Sequence, residues 1–285
     1  MCRGRGLDFD RFNPVDDLLL PPSGNRADND AYRSLLDHYA VRLLLKEIIK
    51  AEDPDAWIKG RRSVERFCHP EALDSYLESL KELGILRDSG KGNPIVSVPV
   101  RNFGATYEWY VARVLSTDFL CPSFWGARFS DMGSGGDHDV ISSVSGRLMY
   151  LEVKTAPPKH IEMPEISGFI HRLWDVAPDI AVFHNDTHLR MKDKIVPLLE
   201  EGIKEFKKTS KVQTPMSKKR PIPTFNVKLS TFNGKDAGFE RLEREIFHLD
   251  SCLYVINSKP DLKRNLSAVF RHYFRKGNPI LEVLT

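Results

Sequence analysis

Residues 135–155 read GGDHDVISSVSGRLMYLEVKT. The pattern is that of a β-hairpin with Ser145 and Gly146 as the two central turn residues, types that suit a tight turn. Counting outward along antiparallel arms sets Val144 against Arg147, Ile141 against Tyr150, Asp139 against Glu152 and Asp137 against Lys154. Side chains alternate along a strand, so Met149, Leu151 and Val153 share one face, while Tyr150, Glu152 and Lys154 share the other. The first face is apolar core. The second carries ionisable groups, which are costly in a buried ribbon unless something compensates them. Directly opposed carboxylates have Cβ atoms about 5 Å apart, and at an effective dielectric near 20 two such charges repel by roughly 3 kcal/mol.

A divalent cation between the two acids reverses the sign of that interaction. Mg²⁺ suits oxygen ligands and is commonly held by one or two protein carboxylates, with substrate phosphate completing the shell; Mn²⁺ is expected to substitute. Lys154, two residues beyond Glu152 on the same face, is placed to stabilise negative charge as it develops on phosphate oxygens. A metal that lowers the pKa of its water completes the chemistry of phosphodiester hydrolysis.

These residues, GGDHDV, then thirteen positions from Asp139 to Glu152, then LEVK, resemble the PD-(D/E)XK phosphodiesterase superfamily, and within it restriction-endonuclease-like folds and archaeal Holliday-junction resolvases. The resemblance covers about residues 101–205. It implies an αβββαβ mixed-sheet core, Asp139 and Glu152 as metal ligands, the Val153 carbonyl as a further ligand, Lys154 as the catalytic lysine, and products bearing a 5′-phosphate and a 3′-hydroxyl. Resolvase-like members also carry a Glu on the first core helix, and Glu108 in GATYEWYVARVL stands where that residue would. Glu108 shares a stripe with Val111, Ala112 and Leu115 and has no basic residue at i+3 or i+4 to make an ordinary helix ion pair. Two departures are visible: His138 precedes Asp139 where the pattern has Pro, and TAPPKH after Lys154 lacks the Gln of some restriction-like members. The subfamily's DNA contacts therefore do not carry over.

Neighbouring residues have plainer readings. Asp137 either pairs with Lys154 at the strand edge or adds a metal ligand. His138 is read as structural, pointing away from Asp139. His184 and His188 straddle an Asn-Asp-Thr turn and are read as surface residues, and Tyr107, Trp109, Phe124 and Trp125 as core.

With 285 residues, 41% of them hydrophobic, the chain can build two cores. Residues 1–29 show no periodicity and are expected to be a loosely packed, partly disordered arm. Residues 30–100 resemble a winged helix: a helical stretch from Ala31 to Lys50, a short helix, a turn at His69-Pro70, a helix from Glu71 to Leu83 and a hairpin whose wing is Arg87 to Asn93. Glu71, Asp74, Glu78 and Glu82 face a single Lys81 on that last helix, a poor surface for phosphates, so either DNA or protein contact is open. Residues 101–285 form the expected nuclease domain, with its core in 101–205 and a basic extension in 206–285. Its elements are predicted as a helix (Gly104 to Ser116), a strand (Pro122 to Phe129), the hairpin, a helix (Pro164 to Val176), a strand (Asp179 to His184) and a helix from Thr187 broken at Pro197. Beyond come a strand (Thr224 to Thr231), an Asn233-Gly234 turn, a helix (Phe239 to Leu249), a strand (Cys252 to Ile256) and a basic helix (Asp261 to Phe274). The class is α/β, a mixed sheet flanked by helices.

The formal net charge of +3 does not by itself demand a polyanionic partner. Local clusters matter more. Lys207, Lys208, Lys218, Lys219 and Arg220, and farther on Arg271 and Arg275, read either as solvated surface or as contacts to nucleic-acid phosphates. Cys2, Cys68, Cys121 and Cys252 are too dispersed for a metal pair or a disulfide framework. With no signal-peptide-like or membrane-spanning apolar run, a cytoplasmic location and no membrane partner are expected. The composite expectation is a Mg²⁺-dependent endodeoxyribonuclease acting on double-stranded or branched DNA, as a homodimer where both strands are cut. The alternative is a non-catalytic nucleic-acid-binding or assembly protein that keeps the scaffold.

Overall fold

The computed structural model describes residues 2–130, 132, 135–212, 238–249 and 252–276. Among them the chain forms a mixed α/β fold with one large mixed sheet and eight α-helices.

The N-terminal arm is packed, not loose. Its strand β1 (Phe9–Arg11) joins the sheet antiparallel to β4 (Ser123–Phe129), and Leu7, Leu18 and Leu19 are buried. The Phe9 ring packs at 4.8 Å from that of Phe129 and 5.5 Å from that of Phe124, apolar contacts that no periodicity in residues 1–29 advertises.

Four helices follow: α1 (Arg26–Leu36), α2 (Tyr39–Lys50), α3 (Pro54–Val64) and α4 (Pro70–Glu82). The stretch from Ala31 to Lys50 is thus two helices. The break at Asp37-His38 frees the Asp37 carboxylate to accept from Tyr110 at 2.8 Å and Lys263 at 2.7 Å. Helix α3 starts earlier than the short helix predicted, because Asp53 caps it, accepting from the Ala56 N–H, and Pro54 occupies its first turn, where a missing N–H costs nothing. Strands β2 (Leu86–Asp88) and β3 (Pro94–Val96) make the expected small hairpin.

The remaining elements are α5 (Gly104–Asp118), β5 (His138–Val144), β6 (Arg147–Lys154), α6 (Met163–Val176), β7 (Ile180–Asn185), α7 (Ile195–Val212), β8 (Glu240–Glu243), β9 (Ile246–Leu249), β10 (Leu253–Asn257) and α8 (Leu262–Arg275). The sheet order is β1-β4-β5-β6-β7-β10-β9-β8. Strands β4, β5 and β6 form an antiparallel meander, β6, β7 and β10 run parallel, and β10, β9 and β8 are antiparallel.

Two predicted elements differ. Residues 240–249 are a hairpin and not a helix: Glu245 sits at φ +64 in its turn, and Ile246 and Phe247 pack on opposite sides of the sheet, the period of a strand. No helix starts at Thr187, whose hydroxyl accepts from the Leu189 N–H at 3.1 Å in a local turn. Helix α7 begins at Ile195 with Pro197 in its first turn, so that proline starts a helix and does not break one. The predicted strand from Thr224 to Thr231 and the Asn233-Gly234 turn lie outside the described residues.

Apolar side chains line both faces. Val140, Met149, Leu151, Val182 and Ile256 pack under α5 and α8, and this cluster runs on without a gap into Leu36, Leu44, Leu45 and Leu80 of the N-terminal helices. Ile141, Tyr150, Phe183 and Val255 pack under α6 and α7. The apolar contacts therefore do not divide near residue 100. No helix among the described residues is long and apolar enough to cross a membrane.

Candidate active site

The ribbon pairs in the register read from its turn: Val144 opposes Arg147, Ile141 opposes Tyr150 and Val140 opposes Leu151. Ser145 and Gly146 both have positive φ, 49° and 76°, as a two-residue turn matching strand twist requires. Asp139 and Glu152 come next along that register. There the regular ladder ends, and the Asp139 carboxylate accepts the Val153 N–H at 2.7 Å.

Glu152 is fully buried. One of its oxygens accepts from Lys154 Nζ at 2.8 Å and from the Arg172 guanidinium at 2.6 Å, and the other accepts from the Tyr150 hydroxyl. Burial pushes the Glu152 carboxyl up, but Lys154 and Arg172 outweigh it and hold the group below its usual range. For Lys154 burial works against the charge, and Glu152 and Asp139 overcome it, so the ammonium stays protonated. Asp139 differs. Burial first and then the Glu152 charge push it up to about 7, with Lys154 and the Val153 N–H offsetting only part. Burial, then Asp139 and Glu152, raise the Glu108 carboxyl on α5 well above the ordinary range.

Gly126 explains how Glu108 reaches this place. The β4–β5 register pairs Trp125 with Val140 and Ala127 with His138, which leaves Gly126, at φ +53, across from Asp139. A Cβ there would lie 2.6 Å from Pro14 and 4.0 Å from Glu108 Oε2, so the absent side chain admits both the arm and α5 beside Asp139.

His138 begins β5 opposite Ala127. Its ring packs edge-on to Phe129 at 5.0 Å and Tyr150 at 5.3 Å, on the side of Ile141 three residues along, which strict alternation forbids. His138 therefore lies on the Tyr150 face, buried, with burial holding it down near 4. Asp137 does not pair with Lys154. It receives Arg11 at 2.7 Å on one oxygen and Arg128 at 2.8 Å on the other. His184 is not a surface residue but fully buried, with Nε2 2.7 Å from the Tyr107 hydroxyl, and His188 is half-buried, its ring stacked on Tyr39 at 3.9 Å. Both lie beside Asp186, a buried acid that pairs with Arg42 at 2.9 Å and Lys46 at 2.7 Å. Tyr107 and Trp109 are buried, and Phe124 and Trp125 half-buried, as core residues.

Sequence reasoning missed Arg172. Its signal is faint: an arginine bordering the buried stripe Ile166, Phe169, Ile170, Leu173 and Val176 of α6. Among the described residues, His, Cys, Asp and Glu side chains nowhere gather in threes as a metal-binding group. Asp139, Glu152 and Glu108 act on one another electrostatically, but Glu152 is drawn to Lys154 and Arg172.

Of the basic residues, Lys208, Arg271 and Arg275 are exposed and Lys207 is half-buried. They sit on α7 and α8, which cover opposite faces of the sheet, so they do not form one strip. Lys218, Lys219 and Arg220 lie outside the described residues. On α4, Lys81 is tied to Glu78 and Asp88 and Asp74 to Arg61 of α3, while Glu71 and Glu82 face solvent. No family model, curated protein or solved structure matches the chain.

Proposed function

We propose that the protein is a divalent-metal-dependent nuclease that hydrolyses phosphodiester bonds in DNA, of the restriction, repair or junction-resolving type. One observation carries this reading. A buried Glu152 is held anionic beside a charged Lys154, next to an Asp139 whose negative charge its neighbours leave largely uncompensated. The helix, three-strand meander, helix, strand order from α5 to β7 is also that of a restriction-endonuclease-like core, and the four helices with their hairpin suit a winged-helix-like module.

The chemistry of the donor set fits Mg²⁺ or Mn²⁺: Asp139, Glu152 and the Val153 carbonyl are all oxygen donors, and the raised Asp139 marks unmet negative charge. When bound, the ion supplies positive charge for a phosphate and a nucleophile at neutral pH. Lys154, its side chain 20% exposed, faces the phosphate with a permanent proton and stabilises charge on the non-bridging oxygens. Arg172 and Tyr150 fix the Glu152 carboxylate in one orientation. Burial and the charges of Asp139 and Glu152 favour the protonated form of Glu108 beside Asp139. Arg271, Arg275 and Lys208 are exposed, where phosphates outside the site can reach them, and the half-buried Lys207 borders Lys208 on α7.

The test is incubation with Mg²⁺ and a panel of linear, nicked, branched and single-stranded DNA plus RNA. Lys154→Ala is expected to abolish cleavage while sparing binding; undiminished cutting by that variant removes the assignment. The scaffold reading has its own support in the double pairing of Glu152 and in the lack, among the described residues, of a three-ligand cluster. Calorimetric titration with Mg²⁺ and Mn²⁺ separates the two, since a scaffold shows no binding at millimolar metal.

A further inference from the structure

We propose that Arg11 and Arg128, held together by Asp137, form a clamp for a backbone phosphate of the polynucleotide at the rim of the Asp139–Glu152–Lys154 site, with the N-terminal strand supplying half of it. This deepens the nuclease reading and rests on it. Arg11 lies on β1 and Arg128 on β4, paired with each other just past an irregularity in the ladder, and their guanidinium groups take the two oxygens of one carboxylate, at 2.7 and 2.8 Å. Asp137 is two residues before Asp139, a separation of about 6–7 Å along an extended chain. On β4, Arg128 is two residues beyond Gly126, where a Cβ would lie 4.0 Å from Glu108 Oε2, so the trio sits beside the acid cluster.

Two cations share one anion, so the trio keeps a net positive charge. All three side chains are accessible, 44% for Arg11, 47% for Arg128 and 33% for Asp137. A guanidinium has five N–H donors, and among the described residues each fork bonds Asp137 through one nitrogen, with further N–H groups to offer a phosphate oxygen. The other cations beside the site, Lys154 and Arg172, are turned inward onto Glu152.

A merely structural role, tying the arm to the sheet, does not account for the pair. Exposed ion pairs add little to stability, and the arm is already anchored on both sides of Arg11. Before it, Phe9 packs on Phe129 and Phe124, and the Asp8 carbonyl accepts from Ser130 at 2.9 Å. After it, the Asn13 N–H donates to the Trp125 carbonyl at 2.9 Å, while the Trp125 backbone and indole N–H groups donate back to Asn13 and the Pro14 carbonyl at 3.0 Å. Asp137 is then the positioning residue, aligning two forks from separate strands.

The experiment measures DNA affinity of the full chain by fluorescence anisotropy in Ca²⁺ across a salt series, together with cleavage kinetics in Mg²⁺. Arg11→Gln and Arg128→Gln are each expected to weaken binding about three- to tenfold and to flatten the dependence of log Kd on log salt by about 0.9, the contribution of one phosphate contact. KM should rise with kcat nearly unchanged, and Arg128→Lys should restore the salt slope. Arg128 is not on the arm, so its variant answers even if Arg11→Gln loosens β1. A wild type that cuts DNA, with both variants keeping its affinity and salt slope, overturns the clamp alone. A wild type that neither binds nor cuts any nucleic acid overturns the nuclease reading and the clamp with it. Inorganic phosphate or a mononucleotide bound more tightly than the polymer, and lost in the variants, would make this a small-anion site and also overturn the proposal.

Discussion

Arg172 reaches from α6 to donate 2.6 Å to the Glu152 carboxylate and, through Nε, 2.9 Å to the Tyr150 hydroxyl, so a helix and a strand share one buried charge. Removing the guanidinium leaves Lys154 as the remaining cation on a carboxylate with no solvent access. Breaking such a pair from one side costs about 3–5 kcal/mol. Arg172→Met is expected to lower the unfolding free energy measured by urea denaturation by about 3 kcal/mol and to reduce cleavage. Arg172→Lys should keep the charge but lose the second bond, giving an intermediate midpoint.

Asp139 carries the reverse imbalance, since burial and Glu152 disfavour its charge. Its folded value, about 7, lies above the ordinary 3.8, so the protonated form favours folding and ionisation opposes it as pH rises between those values. In EDTA, Asp139→Asn is therefore expected to melt higher than wild type at pH 8, the two converging below pH 4. Added Mg²⁺ should raise the melting temperature of the wild type and leave that of the variant in place.

Asp186 binds the N-terminal helices to the sheet. Its carboxylate, with no exposed surface, takes Arg42 and Lys46 of α2 and the Ser258 hydroxyl at 2.7 Å. Burial alone would raise it, but the two cations hold it far below the usual carboxylate range. Asp186→Ala leaves two buried cations unpaired and should destabilise by about 3–5 kcal/mol. Because helices and sheet share this pair and one apolar cluster, tryptophan fluorescence and far-ultraviolet circular dichroism of the wild type should report one coincident transition.

His184 makes the fold sensitive to acid. Burial holds it down near 4 against an ordinary 6.5, Asp186 only partly opposing. A depressed folded value means that the unfolded chain binds the proton first, so the stability is whole above pH 6.5 and is lost as pH falls towards 4. At 1.36 kcal/mol per unit the single-site loss is about 3 kcal/mol. His184→Gln should flatten the decline in urea midpoint between pH 6.5 and 4, with His138, held near the same value, and His188 and His272, also lowered by burial, contributing to what is left.

Gly126→Ala places a Cβ 2.6 Å from the Pro14 ring at a residue with φ +53. Overpacking of this kind costs about 1–3 kcal/mol, and the strain falls on the arm. Limited proteolysis should cut the variant between residues 10 and 20 faster than the wild type, and cleavage activity should fall as β1 loosens.

What residues 135–155 decided alone was local: a two-residue turn with positive φ sets the register from Val144 and Arg147 to Val140 and Leu151, and alternation then brings Lys154 to the Glu152 face. The helices α4 to α6 and the strands β4, β7 and β10 were legible for the same reason, since caps, prolines and apolar period act within a few residues. The tertiary structure decided which distant groups meet. Arg172 on Glu152, Arg11 and Arg128 on Asp137, Pro14 and Glu108 over Gly126, and Arg42 and Lys46 on Asp186 are contacts between elements far apart along the chain. No periodicity encodes them. Their pairing follows from sheet order and from the cost of leaving a buried charge unmet, and both exist only once the layers have packed.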